Sequence, residues 1–107
     1  DFYREAFGWQ IQPMPEFDYT MVSTVPTDET GRPTDPGAIN GGMMQRMPGV
    51  TGTVITIEVD AIDEALQRVE RLGGKTIVSR QSVGDMGFTA YFTDSEGNVV
   101  GLWENAR

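Results

Sequence analysis

The hydrophobic pattern of the chain changes period along its length. Asp1-Phe2-Tyr3-Arg4-Glu5-Ala6-Phe7-Gly8 places Phe2, Tyr3, Ala6 and Phe7 on one helical face, with Gly8 where a left-handed cap belongs. This reads as the end of a helix, and so as a chain whose preceding strand is not represented; a short helix of its own is the other reading. Trp9 to Gln12 then alternates with a period of two, ended by Pro13 and Pro15, and Tyr19 to Val25 alternates again. Pro26, Gly31, Pro33, Pro36 and Gly37 predict an exposed loop over 26–38. Ile39 to Gln45 reads as a strand weakened by Gly41 and Gly42.

The second half is more regular. Thr53 to Val59 is rich in β-branched residues and predicts a strand. Asp60 stands as an N-cap before Ile62, Ala65, Leu66, Val69 and Leu72, which follow helical spacing until Gly73-Gly74 stops the run. Lys75 to Val83, Phe88 to Thr93 and Val99 to Glu104 predict three strands, the last two joined by the turn Asp94-Ser95-Glu96-Gly97-Asn98. The order is strand, helix, strand, strand, strand. The first half repeats it without an opening strand, as a repeat of element order rather than of sequence.

Composition narrows the chemistry. Val and Ile together number 16 against three Leu, a balance that favours sheet. A net charge of −8 disfavours nucleic acid and anionic membrane surfaces as partners. No apolar run approaches the roughly 18 residues of a membrane span, and no secretory pattern opens the chain, so the expected setting is cytoplasmic. The sequence contains no Cys and no His, which removes disulfides, thiolate nucleophiles, Ser–His pairs and imidazole ligands. Gly41-Gly42 lacks the Lys and the following helix of a phosphate loop, and Met43 and Met44 read as fillers of irregular gaps.

Phe2-Tyr3-Arg4-Glu5-Ala6-Phe7-Gly8-Trp9, Gly41-Gly42-Met43-Met44, Ile57 to Ala65, Leu72-Gly73-Gly74-Lys75 and Tyr91 to Glu104, taken in order, resemble the vicinal oxygen chelate superfamily of glyoxalases, bleomycin-resistance proteins and extradiol dioxygenases. The resemblance implies an α+β fold of paired βαβββ modules, the glyoxalase/bleomycin-resistance/dihydroxybiphenyl dioxygenase fold. Residues 1–107 would form one domain, with 1–47 as a first module lacking its opening strand and 53–107 as a second. It also implies a homodimer in which each sheet curls into an open cup. Family enzymes hold a divalent metal there through His and Glu ligands. The two ligand positions of this chain fall on Val54, five residues before Val59-Asp60, and on Gly101, four after Gly97. Neither side chain can ligate a metal. Glu104 lies three residues too late, and an odd shift points it to the other face. No metal and no cofactor are therefore expected.

Family metal positions face the cup, so strand alternation assigns the remaining faces. Val54, Thr56, Glu58, Val99, Gly101 and Trp103 should face it, while Ile55, Ile57, Val59, Val100 and Leu102 should pack under the helices. The turn at 94–98 sets Thr93 opposite Val99, Tyr91 opposite Gly101 and Thr89 opposite Trp103, and sends Phe88, Ala90 and Phe92 to the core. The expected small-molecule site comprises Thr56, Glu58, Thr89, Tyr91 and Trp103, with Gln45 as a further polar contact. Three functions are open. One is a metal-free binding module for a neutral or cationic organic molecule. Another is a lyase or isomerase of the glyoxalase type, with Glu58 as candidate base. The third is a subunit that completes a partner's cup.

Overall fold

A computed structural model describes residues 2–17, 19–25 and 38–106. The expected loop over 26–38 falls, except for Ala38, outside the described residues. The chain divides into two units, Asp1–Gln45 and Arg46–Arg107.

In the first unit, helix α1 (Phe2–Phe7) precedes strands β1 (Gln10–Met14), β2 (Tyr19–Ser23) and β3 (Gly41–Met43), with a 3-10 turn at Pro15–Phe17. The strands form an antiparallel sheet in the order β1-β2-β3. Gly8 ends α1 at φ +70°, its N–H donating to the Arg4 carbonyl at 2.9 Å. Pro13 does not end β1 as expected; it pairs with Thr20 inside the strand. β1 bonds only to β2, and an edge strand tolerates a residue without an N–H on its unpaired side. β3 is shorter than the expected 39–45. The Tyr19 ring and hydroxyl lie over Gly42, in space that any Cβ would occupy.

The second unit runs β4 (Thr56–Glu58), α2 (Ile62–Arg71), β5 (Lys75–Val83), β6 (Gly87–Thr93) and β7 (Val99–Asn105). Its sheet order is β4-β7-β6-β5, with β4 parallel to β7 and the other neighbours antiparallel. This is one βαβββ module: the helix crosses from one sheet edge to the other. α2 buries Ile62, Ala65 and Leu66 against Ala90, Phe92 and Leu102, with Val59, Val69, Phe88 and Val100 around them. Burying aliphatic side chains of this size contributes about 1.5–3 kcal/mol each.

Both ends of α2 depart from or refine the expectation. Ala61, not Asp60, is the N-cap residue, and no cap-residue side chain bonds the first turn. The Glu104 carboxylate of β7 does that work: its Oε1 accepts the Ile62 N–H at 2.9 Å. At the other end the Gly74 N–H donates to the Val69 carbonyl and the Gly73 N–H to that of Glu70, a double closure that needs Gly73 at φ +99°. Leu72 consequently leaves the helix and is 80% exposed rather than part of the apolar face.

The expected strand over 53–59 is confined to Thr56–Glu58, although the Ile55 carbonyl and the Val59 N–H extend its bonding to β7. Ile55 and Ile57, expected under the helix, are 76% and 48% exposed. Both belong to the sheet-edge segment, beyond the reach of α2, whose packing partners are β5, β6 and β7. Only Val59, at the helix entry, joins the core. No helix among the described residues is long and apolar enough to cross a membrane.

The turn at 94–98 is held by one side chain. Asp94 Oδ1 accepts the N–H groups of Glu96 and Asn98 at 2.9 Å each, and Oδ2 accepts the Asn98 side-chain amide at 3.1 Å. These bonds, led by that from the Asn98 backbone, hold the Asp94 carboxyl below its usual 3.8. A depressed carboxyl contributes stability above its ordinary pKa and loses it as pH falls through the lowered value. Thermal melts between about pH 5 and pH 2 should therefore lose less stability on acidification in Asp94→Ala than in the parent. Equal acid slopes would refute the assignment.

Glu104 is nearly buried and also pairs with Arg80, whose guanidinium lies 3.3 Å from Oε2 and 3.6 Å over the Phe88 ring centre. Glu104→Ala should cost about 2 kcal/mol in urea unfolding, through the lost cap and the orphaned Ile62 N–H. Arg80→Ala, at a more exposed partner, should cost about 1 kcal/mol or less.

Candidate functional site

Register within the second sheet determines which side chains share a face. Thr56 pairs with Gly101, Gly101 with Tyr91, and Tyr91 with Val78, making one row across all four strands. Glu58, Trp103, Thr89 and Gln81 make the next row. Since neighbours directly opposite point the same way, both rows lie on the face away from the Leu102, Ala90 and Phe92 core. The five second-unit residues singled out from the sequence are thus brought onto one face. Gln45 is exposed and belongs to the first unit, so it is not among the residues this sheet assembles.

Burial grades across the face. Thr56 and Glu58, on the edge strand, are exposed, whereas Thr89, Tyr91 and Trp103, on the central strands, are half-buried. Gly101 is buried at the centre. A Cβ placed there would stand 2.8 Å from Thr56 Oγ1 and 3.3 Å from Tyr91 Cε1. Glycine therefore lets the Thr56 hydroxyl and the Tyr91 ring close over this position, where any larger residue would collide with them. The Thr89 hydroxyl is engaged with the Leu102 carbonyl at 3.3 Å. The Trp103 indole N–H donates to Asn105 Oδ1 at 2.8 Å.

Gln81 and Asn105 were not singled out from the sequence. Gln81 reaches this face because β5 shifts register twice against β6, between Thr76 and Val78 and between Val78 and Gln81. Strict alternation carries no sign of such bulges. Asn105 could have been found by extending the alternation of β7 by one more residue on the Trp103 face.

A depression of about 550 Å³ lies elsewhere, between residues 49–55 and the turn that begins at Asp94, with Val54, Val99 and Val100 in its lining. Its one carboxylate, Asp94, already accepts three bonds within its own turn. The other lining residues named there offer small side chains and backbone. Its polar side chains are Thr51, Thr53, Asp94 and Asn98, and it lacks the aromatic rings that the Trp103 face gathers.

The residues present do not fit the divalent ion that family enzymes hold. Val54 and Gly101 supply no donor atom, and the groups nearest to Gly101 are the Thr56 side chain and the Tyr91 ring. Among the described residues no cluster of three or more His, Cys, Asp or Glu side chains occurs. A lone carboxylate at Glu58 with neutral hydroxyls falls short of the three or four protein ligands of a stable site.

Residues 1–25 match a family described as bleomycin resistance protein-like N-terminal. The candidate glyoxylase CFP32 of Mycobacterium bovis is 32% identical over 112 aligned positions, which take in 99% of this chain and 40% of that protein. The Mycobacterium tuberculosis protein of the same name matches equally. The chain thus spans about 40% of the length of the curated relatives it matches. Among solved structures, a glyoxalase/bleomycin resistance protein/dioxygenase family enzyme from Burkholderia phytofirmans aligns with TM-score 0.47 and 15% identity, over 97% of this chain and 85% of that one. TnmS3, an antibiotic binding protein from Streptomyces, aligns with TM-score 0.42 and 23% identity, over 99% and 83%. Sequence similarity along nearly its whole length, the match of residues 1–25 and the βαβββ order of the second unit support a place for the chain in the vicinal oxygen chelate superfamily, the group of glyoxalases and bleomycin-resistance proteins.

Proposed function

We propose that the chain binds a small organic molecule, without a metal, on the sheet face of Thr56, Glu58, Thr89, Tyr91 and Trp103. One observation carries the reading: strand register gathers these five side chains on one sheet face, where Thr56 and Tyr91 meet over the buried Gly101. Two rings supply apolar contact area, and a few polar groups fix orientation, the usual make-up of a small-molecule site. A neutral or cationic ligand suits a protein of net charge −8 better than an anion. The antibiotic-binding function in the name of TnmS3 points the same way.

The 32% identity with a candidate glyoxylase favours a second reading, a lyase or isomerase with Glu58 as general base. In that case Glu58→Gln would abolish turnover while leaving binding nearly intact. A homodimer belongs to the proposal as well. Ile55 and Ile57 are exposed on an edge segment with no Lys or Pro to discourage pairing, and a second copy would cover them. A cytoplasmic setting suits a chain with no cysteine to oxidise.

Titration against neutral and cationic aromatic compounds tests the site. Trp103→Ala should weaken binding by roughly 1–3 kcal/mol through lost apolar burial. Glu58→Gln should leave neutral ligands nearly unaffected and weaken cationic ones. Hits that bind both variants as tightly as the parent would move the site elsewhere. Elemental analysis after dialysis should find no stoichiometric divalent ion, and a retained one would overturn the metal-free part.

A further inference from the structure

Asn40-Gly41 is the chain's only asparagine followed by glycine; Asn98 and Asn105 precede Val99 and Ala106. An asparagine amide is open to attack by the backbone nitrogen of the next residue, and a side chain on that residue crowds the approach. Glycine has none. The surrounding structure does not crowd it either, since a Cβ built on the exposed Gly41 would meet nothing within 4 Å. The Asn40 amide, however, is held to one side. β2 and β3 pair as far as Val22 and Gly41, and the same register carried outward sets Thr24 opposite Ile39. There side chains take over from the backbone ladder. Asn40 Oδ1 accepts the Thr24 N–H at 2.8 Å and the Thr24 hydroxyl at 3.3 Å. That hydroxyl also lies 2.9 Å from the Ile39 carbonyl, so its one proton is shared between two acceptors. These bonds draw the half-buried amide across toward the end of β2, away from an approach to the Gly41 nitrogen.

We propose that Asn40 is a site of spontaneous covalent modification, conversion to aspartate and isoaspartate, which the Thr24 bonds hold in check until the end of the β2–β3 pairing opens. In the open state the Gly41 nitrogen gives its proton to a solvent base and forms a bond to Asn40 Cγ. The Cγ–Nδ2 bond breaks, and ammonia leaves with a proton taken back from solvent. Water then adds to either carbonyl of the cyclic imide and breaks one of its two bonds to nitrogen. Opening at one carbonyl gives aspartate; opening at the other gives isoaspartate, with the main chain routed through the former side chain. Water is the only co-reactant. Isoaspartate adds a methylene to the main chain at the start of β3, which shifts the strand against β2. The pairing has little tolerance there, because the Tyr19 ring and hydroxyl fill the space over Gly42.

The test is incubation of the protein in mildly alkaline buffer, folded and in guanidinium chloride. Peptide mass spectrometry locates the exchange of ammonia for water, and enzymatic methylation of isoaspartate measures the isomerised product. Thr24→Val removes the hydroxyl and keeps the shape, Thr24→Ser keeps the hydroxyl, and Gly41→Ala hinders the attacking nitrogen without a clash in the folded state. In denaturant the parent should convert at Asn40, and Gly41→Ala should be far slower. The folded parent should convert about tenfold more slowly than the denatured chain, because reaction waits on a minority open state. Thr24→Val should speed the folded reaction about fivefold, the effect of one ordinary hydrogen bond on an opening equilibrium, with Thr24→Ser within about twofold of the parent. Absence of conversion in denaturant, or equal rates there for the parent and Gly41→Ala, would remove the site. Equal rates in the folded and denatured parent would remove the restraint, as would a folded Thr24→Val that converts no faster than the parent. A Thr24→Ser rate as high as that of Thr24→Val would also overturn the role of the hydroxyl. If circular dichroism shows Thr24→Val unfolded, the folded and denatured parent still decide the restraint and Thr24→Ser the hydroxyl.

Discussion

Glu104 brings a carboxylate from β7 into the interior of the second unit, where it meets the first N–H of α2 and the guanidinium of Arg80 on β5. A helix N-terminus carries unsatisfied donors and partial positive charge, so a buried carboxylate there is doubly satisfied. The contact joins residues 42 positions apart and ties the helix to the central strand. Everything on the opposite face follows from it by alternation. With Glu104 and Leu102 turned toward α2, Trp103 and Gly101 must turn away. A carboxylate that looks like a displaced metal ligand in the sequence is thus the clasp of the fold.

The face so defined has an uneven relief. Its edge strand offers Thr56 and Glu58 to solvent, its central strands carry half-buried Thr89, Tyr91 and Trp103, and between them Gly101 removes one side chain from the layer. In family enzymes a carboxylate occupies the position on which Gly101 falls. Glycine there offers no side-chain donor to an ion and lets Thr56 and Tyr91 meet across the position. Val54 makes the matching exchange at the other ligand position. The two changes are chemically consistent with each other: a site that loses one ligand has little use for the second.

Similarity to a superfamily with many chemistries leaves function to the residues of the site. The side chains assembled here are suited to enclosing a ring and orienting it with hydroxyls and one carboxylate. Their second-nearest neighbours matter as well. The Trp103 indole N–H donates to Asn105 and its ring lies against Gly87, and Asp94 holds the turn that sets the register between β6 and β7. Specificity would then depend partly on residues that touch no ligand.

Periodicity alone was enough for the second unit's element types, for the β5, β6 and β7 segments to within one residue at each end, and for the pairing of Tyr91 with Gly101 and Thr89 with Trp103. Those features are local: a β-branched run, a glycine stop and a turn whose length dictates register. The tertiary structure decided what depends on distant partners. Glu104, not Asp60, meets the first N–H of α2, because a side chain from another strand reaches the helix end first. Ile55 and Ile57 stay exposed because hydrophobic pattern says which residues could be buried, not how far a helix extends over a sheet edge. Pro13 sits within β1 because only one side of that strand is paired. Gln81 joins the Trp103 face through bulges that have no periodic signature. Alternation assigned Trp103 to its face, but the direction of its ring along the strand was set by contacts with Asn105 and Gly87 that only the folded sheet creates.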